Sequence, residues 1–114
     1  MNKEKLDKIL ELHALWIESS GDKGKRADLR GADLQGAELW CANLRLACLR
    51  GADLEGADLE GADLLAADLS CANLSWAKLR GADLWQANFD CANLTDTLGL
   101  PINLNTCKEE KDDE

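Results

Sequence analysis

The chain has 114 residues, thirteen of them Lys or Arg and twenty-two Asp or Glu, for a formal net charge of −9. This length makes one domain, and such acidity argues against direct nucleic-acid binding, which needs a basic footprint. No stretch approaches the roughly 18 apolar residues of a membrane span, and the charged N-terminus, broken by Glu11, His13 and Glu18, does not read as a signal peptide, so a cytoplasmic protein is expected.

Residues 2–19 read as an amphipathic helix. Leu6, Ile9, Leu10, His13, Trp16 and Ile17 recur on one side at helical spacing, with Leu12 and Leu15 widening the stripe. Lys3, Glu4, Asp7, Lys8, Glu11 and Glu18 lie mostly elsewhere, and their mixed charge disfavours a membrane surface. Ser19-Ser20-Gly21-Asp22-Lys23-Gly24 ends the helix and is expected to be a flexible joint. His13, the only histidine, is expected to be packed or half-exposed on this helix rather than catalytic.

From Ala27 to Asp96 the chain is fourteen consecutive five-residue units without insertion or deletion. Each begins with Ala and carries a large apolar residue two places later, thirteen Leu from Leu29 to Leu94 and Phe89. Asp or Asn stands between them, except at Glu38, Cys48 and Lys78, and the fifth position is often Gly. A helix turns about 100° per residue, so leucines five apart never form a stripe. A flat strand alternates faces, so an odd spacing sends successive leucines to opposite sides. A chain that bends once per unit resets that alternation and coils every leucine onto one apolar axis. The short Asp and Asn side chains then serve the bends by bonding nearby backbone N–H groups, and the recurrent Gly eases them. After Ala92 the pattern decays but keeps its phase: Ile102 and Leu104 match the Ala and Leu slots, with Pro101 blocking further pairing at the edge. Residues 107–114 form an acidic tail expected to be disordered.

Units such as Ala27-Asp28-Leu29-Arg30-Gly31 and Ala52-Asp53-Leu54-Glu55-Gly56 resemble those of the pentapeptide-repeat family, over residues 27–96 with every unit in phase. The resemblance implies a right-handed quadrilateral parallel β-helix with four units per coil. The expected fold class is therefore an all-β solenoid of about four coils over residues 27–106, with residues 1–26 as an N-terminal helix cap and joint. The cap would cover Leu29, Leu34 and the unpaired strand edges of the first coil. At about 4.8 Å per coil the fourteen units span roughly 17 Å.

Residues twenty apart should then stack, which sorts the outer surface into faces. The face of Leu34, Leu54, Leu74 and Leu94 displays Asp33, Asp53, Glu55 and Asp96 and is expected to carry no base. The face of Leu39, Leu59 and Leu79 mixes Glu38, Asp58 and Glu60 with Lys78 and Arg80. Arg30 stacks under Arg50 beside Asp28 and Asp68. On the remaining face Leu46, Leu65, Ala66 and Trp85 should point outward, with Leu65 against Trp85, and Trp40 and Trp76 also fall on outward positions, so that all five large residues are candidates for protein contact. A contiguous apolar group of this kind marks a protein-contact surface, since Trp is favoured at hot spots.

Five cysteines, Cys41, Cys48, Cys71, Cys91 and Cys107, lack metal-ligand spacing and have one His for company, so no metal or cofactor is expected. Cys71 and Cys91 should stack, as thiols in a cytoplasm. No nucleophile can be matched with a base, and surface carboxylates lack a pocket to tune them; no catalytic residue is assigned. The expectation is a non-enzymatic structural scaffold or protein-binding module with a protein partner, a homodimer included. The alternative is a DNA-mimicking inhibitor of a type II topoisomerase such as gyrase, a role that some members of the resembled family have. Charge permits it, since −7 over the roughly 17 Å of repeats is one charge per roughly 2.4 Å against about 1.7 Å in duplex DNA. Length opposes it, because such a rod matches only about five base pairs.

Overall fold

The computed structural model describes residues 1–100. The expectations for Pro101, Ile102 and Leu104, for Cys107 and for the 107–114 tail lie outside the described residues.

Helix α1 spans Lys3–Glu18. The Asn2 side chain starts it by accepting the Lys5 N–H at 2.8 Å, a cap worth about 1 kcal/mol. It ends where the Ser19 N–H bonds Leu15 O and Ser20 and Gly21 turn to positive φ. Leu6 and His13 are buried, and Ile9 and Leu10 pack against the core. Leu15, expected to widen the apolar stripe, is instead 45% exposed. Lying two residues beyond His13, it is rotated about 200° away from it.

The joint after α1 folds back onto the helix. The Lys23 N–H donates to Ser19 Oγ at 2.7 Å, that hydroxyl donates back to Lys23 O at 3.2 Å, and the Lys25 N–H reaches Leu12 O at 3.0 Å. Gly24 makes this approach feasible: at φ +74 a Cβ would meet Leu12 O and lie 2.7 Å from both Leu15 Cβ and Trp16 N. A local Gly/Ser signal announces a turn, but not that the turn folds back onto its own helix.

Beyond Arg26 the chain coils with a twenty-residue register. Asp28 pairs in parallel with Cys48, Asp33 with Asp53, Glu38 with Asp58 and Asn43 with Asp63, and the series runs on to Lys78 with Leu98. In the first of these, the Cys48 N–H donates to Ala27 O and the Leu29 N–H to Cys48 O. Pairing is confined to single residues, because a turn follows at once: the Ala32 N–H donates to Leu29 O across Arg30 and Gly31. Every fifth residue from Leu29 to Leu79, all leucines, and from Ala47 to Ala77, all alanines, fills the interior, as the spacing predicts, with Leu84 and Phe89 closing it above.

Two regularities explain the unit. Among the described residues eleven units carry Asp or Asn before the inward leucine or Phe89, and in all eleven its Oδ1 accepts the N–H two residues on. The fifth residue of every unit, from Gly31 to Asp96, has φ between +56 and +74. That is the demand of a type II turn at its third position. Six of these residues are Gly; the other eight, among them Leu46, Ala66, Trp76 and Gln86, hold a left-handed conformation that costs roughly 1–2 kcal/mol each.

The first coil has no coil beneath it, and α1 and Arg26 reach four of its backbone groups. The Met1 amine donates to Asp33 O at 2.9 Å. His13 takes the Ala27 N–H at 2.9 Å and Arg45 O at 2.8 Å. Arg26 Nε donates to Leu46 O at 2.7 Å. Four backbone groups at this open end of the coil thereby gain partners.

Candidate protein-contact surface

The outward positions follow from the turn. The residue after each leucine, the buried Ser70 excepted, and the left-handed residue behind it project from the coil. Trp40 is 64% exposed, Trp76 58% and Trp85 65%. Leu46 is exposed and Leu65 half-buried. The Leu46 N–H donates to Leu65 O, and the Ala66 N–H to Trp85 O, so these residues rise through three successive coils on one face. Leu46 also lines a hollow with Trp16, Ile17, Ser20, Gly21 and Arg45, which joins this face to the end of α1.

Trp40 and Trp76 are not brought to that face. Trp40 borders a shallow hollow with Cys41, Asp58, Glu60 and Gly61. The Gly56 N–H bonds Ser75 O and the Trp76 N–H bonds Thr95 O, placing Trp76 between Gly56 and Asp96 at one corner. It therefore interrupts the acidic face, which grouping by residue type did not reveal.

That face is also less free than expected. The Asp53 carboxylate accepts the Gln35 amide at 2.6 Å, the Asn73 amide at 3.3 Å and the Glu55 N–H at 3.2 Å. The expectation of no base fails beside Asp33, where Met1 and Lys3 line a hollow with Asp33, Gln35 and Glu38. The reason is tertiary: α1 begins on this face. Glu55 is exposed, and Asp96 stands apart at its left-handed corner, φ +56.

Elsewhere charge is paired locally. Arg30 grips Asp28 with two bonds of 2.8 Å, and this hydrogen bonding lowers the Asp28 carboxyl to about 2. The Ser70 hydroxyl, 2.6 Å from Asp68, lowers that carboxyl too. Arg45 Nε lies 3.0 Å from Asp63. Among the described residues no group of three or more His, Cys, Asp or Glu is arranged to hold a metal ion. Cys41, Cys48, Cys71 and Cys91 are thiols, with Cys71 and Cys91 at equivalent corners twenty residues apart.

The residue sequence reasoning undervalued is His13. It is fully buried and bonded at both ring nitrogens, and its ring stacks on Trp16 with centroids 5.8 Å apart. Burial, followed in the same direction by the Arg26 charge, lowers its pKa, while the bond to Arg45 O acts the other way. The available signal was a lone imidazole on an apolar helix stripe.

The family described as pentapeptide repeats matches residues 27–64 and 67–97 in eight copies. Among solved structures the chain is similar to a pentapeptide repeat protein of the Arabidopsis thaliana thylakoid lumen, at 39% identity and a TM-score of 0.59, over 69% of this chain and 56% of that one. It thus spans little more than half of that relative's length. A pentapeptide repeat protein from the cyanobacterium Cyanothece 51142 is 37% identical, over 69% of this chain and 60% of that one, with a TM-score of 0.41. HetL from Nostoc sp. strain PCC 7120, a protein involved in heterocyst differentiation regulation, is 36% identical over 65% of this chain and 39% of its own, with a TM-score of 0.32. The sequence finds no match among curated proteins.

Proposed function

Because this chain belongs to the pentapeptide-repeat family, we propose that it is a non-enzymatic scaffold or protein-binding module. In this reading the coils form a right-handed quadrilateral parallel β-helix and α1 is the lid on its first coil. The twenty-residue register supports the first point, being four five-residue units per coil. The bonds from Met1, His13 and Arg26 to first-coil backbone support the second.

The observation that carries the binding reading is the ladder Leu46–Leu65–Trp85. The interior is filled by the chain's own leucines, so what the fold has left to offer is its outside. Trp85 stays in water there although each Å² of apolar surface covered would return about 25 cal/mol. A protein partner is the natural occupant, a second copy being the simplest, in a cytoplasmic setting.

Light scattering on the full chain, with Leu65→Asn and Trp85→Gln combined, tests this. Loss of a dimer on substitution, or loss of a partner captured by the unsubstituted chain, supports the face. A dimer that persists assigns self-association to the far coil end, and a partner retained by the double variant removes this face from the proposal.

A further inference from the structure

His13 belongs to none of the surfaces above, yet it joins more of the molecule than any other side chain of α1. Its ring nitrogens have opposite roles. The Ala27 N–H donates to Nδ1, so Nδ1 offers a lone pair. Arg45 O can only accept, so the ring proton sits on Nε2 and is donated there. The surroundings thus select one neutral tautomer. Ala27 opens the first coil and Arg45 lies near its close, so one imidazole ties α1 to both ends of that coil.

We propose that His13 is an acid-sensitive latch: a proton arriving at Nδ1 turns the acceptor into a donor opposed to the Ala27 N–H, and α1 leaves the first coil.

The groups around the ring favour release over accommodation. Arg26, whose Nε is fixed on Leu46 O, adds positive charge. The Arg45 guanidinium is occupied by Asp63 at 3.0 Å and leaves only its carbonyl to the ring. On α1 the residues one turn away, Ile9, Leu10, Trp16 and Ile17, carry no charge. From the joint, Lys25 meets α1 through its backbone N–H. Burial and Arg26 hold the docked imidazole below its usual value, whereas a released His13 titrates near the ordinary value of about 6.5. The docked state therefore binds fewer protons. Docking is at full strength above about pH 6.5 and weakens as pH falls from there towards the depressed value. The bonds between the upper coils, such as Leu54 N–H to Asn73 O at 2.7 Å, join backbone groups alone and do not titrate. The latch is independent of the scaffold reading and of any partner.

Amide hydrogen exchange by NMR on the full chain, corrected for intrinsic rates, tests this alongside the imidazole nitrogen shifts. At neutral pH the shifts should report the Nε2–H tautomer. Below about pH 6.5 protection across α1 should fall by about tenfold per pH unit relative to the Leu54 and Leu59 amides. His13→Gln keeps a donor for Arg45 O but cannot titrate, and should lose this dependence. An imidazole that titrates while α1 stays protected would overturn the latch, as would an unchanged pH profile in His13→Gln. Should that variant not fold, the wild-type comparison still decides: coincidence of the two titrations supports the latch and their separation refutes it.

Discussion

The Gln35 side-chain amide donates to the Asp53 carboxylate at 2.6 Å, from one coil to the next. A carboxylate held by neighbouring amides cannot also present a phosphate-like charge with its bonds open. With Trp76 below Asp96 and the Met1 amine beside Asp33, the acidic face lacks the unbroken track of a duplex backbone. Excess purified protein is therefore expected to leave gyrase supercoiling unaffected. Inhibition that vanishes when Asp33, Asp53, Glu55 and Asp96 are changed to Asn or Gln would instead establish the topoisomerase alternative.

The eight non-glycine residues at left-handed corners should be improvable. Gln86 is exposed at φ +60, so Gln86→Gly relieves strain against a loss in chain entropy and should gain about 0.5–1 kcal/mol. Gly51→Ala should cost about 1 kcal/mol for backbone reasons alone, since a Cβ there meets nothing within 4 Å. Urea titrations of the two variants should move in opposite directions.

Lys78 stands where eleven other units use Asp or Asn to hold the N–H two residues on. Lys78→Asn should add that bond and about 0.5–1.5 kcal/mol, and Asp58→Ala should lose a similar amount. Equal stability in both variants would mean that the bond merely replaces one to water.

Interior and exterior positions should differ sharply. Leu64 is fully buried at mid-rod, and Leu64→Ala should cost about 2–5 kcal/mol. Glu60→Gln, on the outside of the preceding unit, should cost under about 0.5 kcal/mol. Denaturation followed by tryptophan fluorescence measures both.

Gly24 and Gly21 test the closed joint as a pair. Gly24→Ala should cost about 2 kcal/mol or more through a positive φ and the clash with α1. Gly21→Ala meets only Trp16 Nε1, at an ordinary 3.6 Å, and should lose only the backbone part, about 1 kcal/mol. Exchange of the α1 amides should quicken in Gly24→Ala and change little in Gly21→Ala if the joint holds the helix down.

The repeat was legible because its causes are local and recur in phase. Five-residue spacing alone requires a bend per unit and sends each leucine inward, and a short polar side chain beside a bend has one near backbone donor to accept. The twenty-residue register came with the family resemblance, and the pairing of Asp28 with Cys48 and its successors agrees with it. What α1 meets could not be read in this way, because those partners are distant in sequence: thirty-two residues separate His13 from Arg45 and Met1 from Asp33. The uniform left-handed corner is also a tertiary outcome. Bridges to neighbouring coils hold each turn in one shape, so Leu46, Trp76 and Gln86 adopt a φ that their own chemistry disfavours and glycine would take freely.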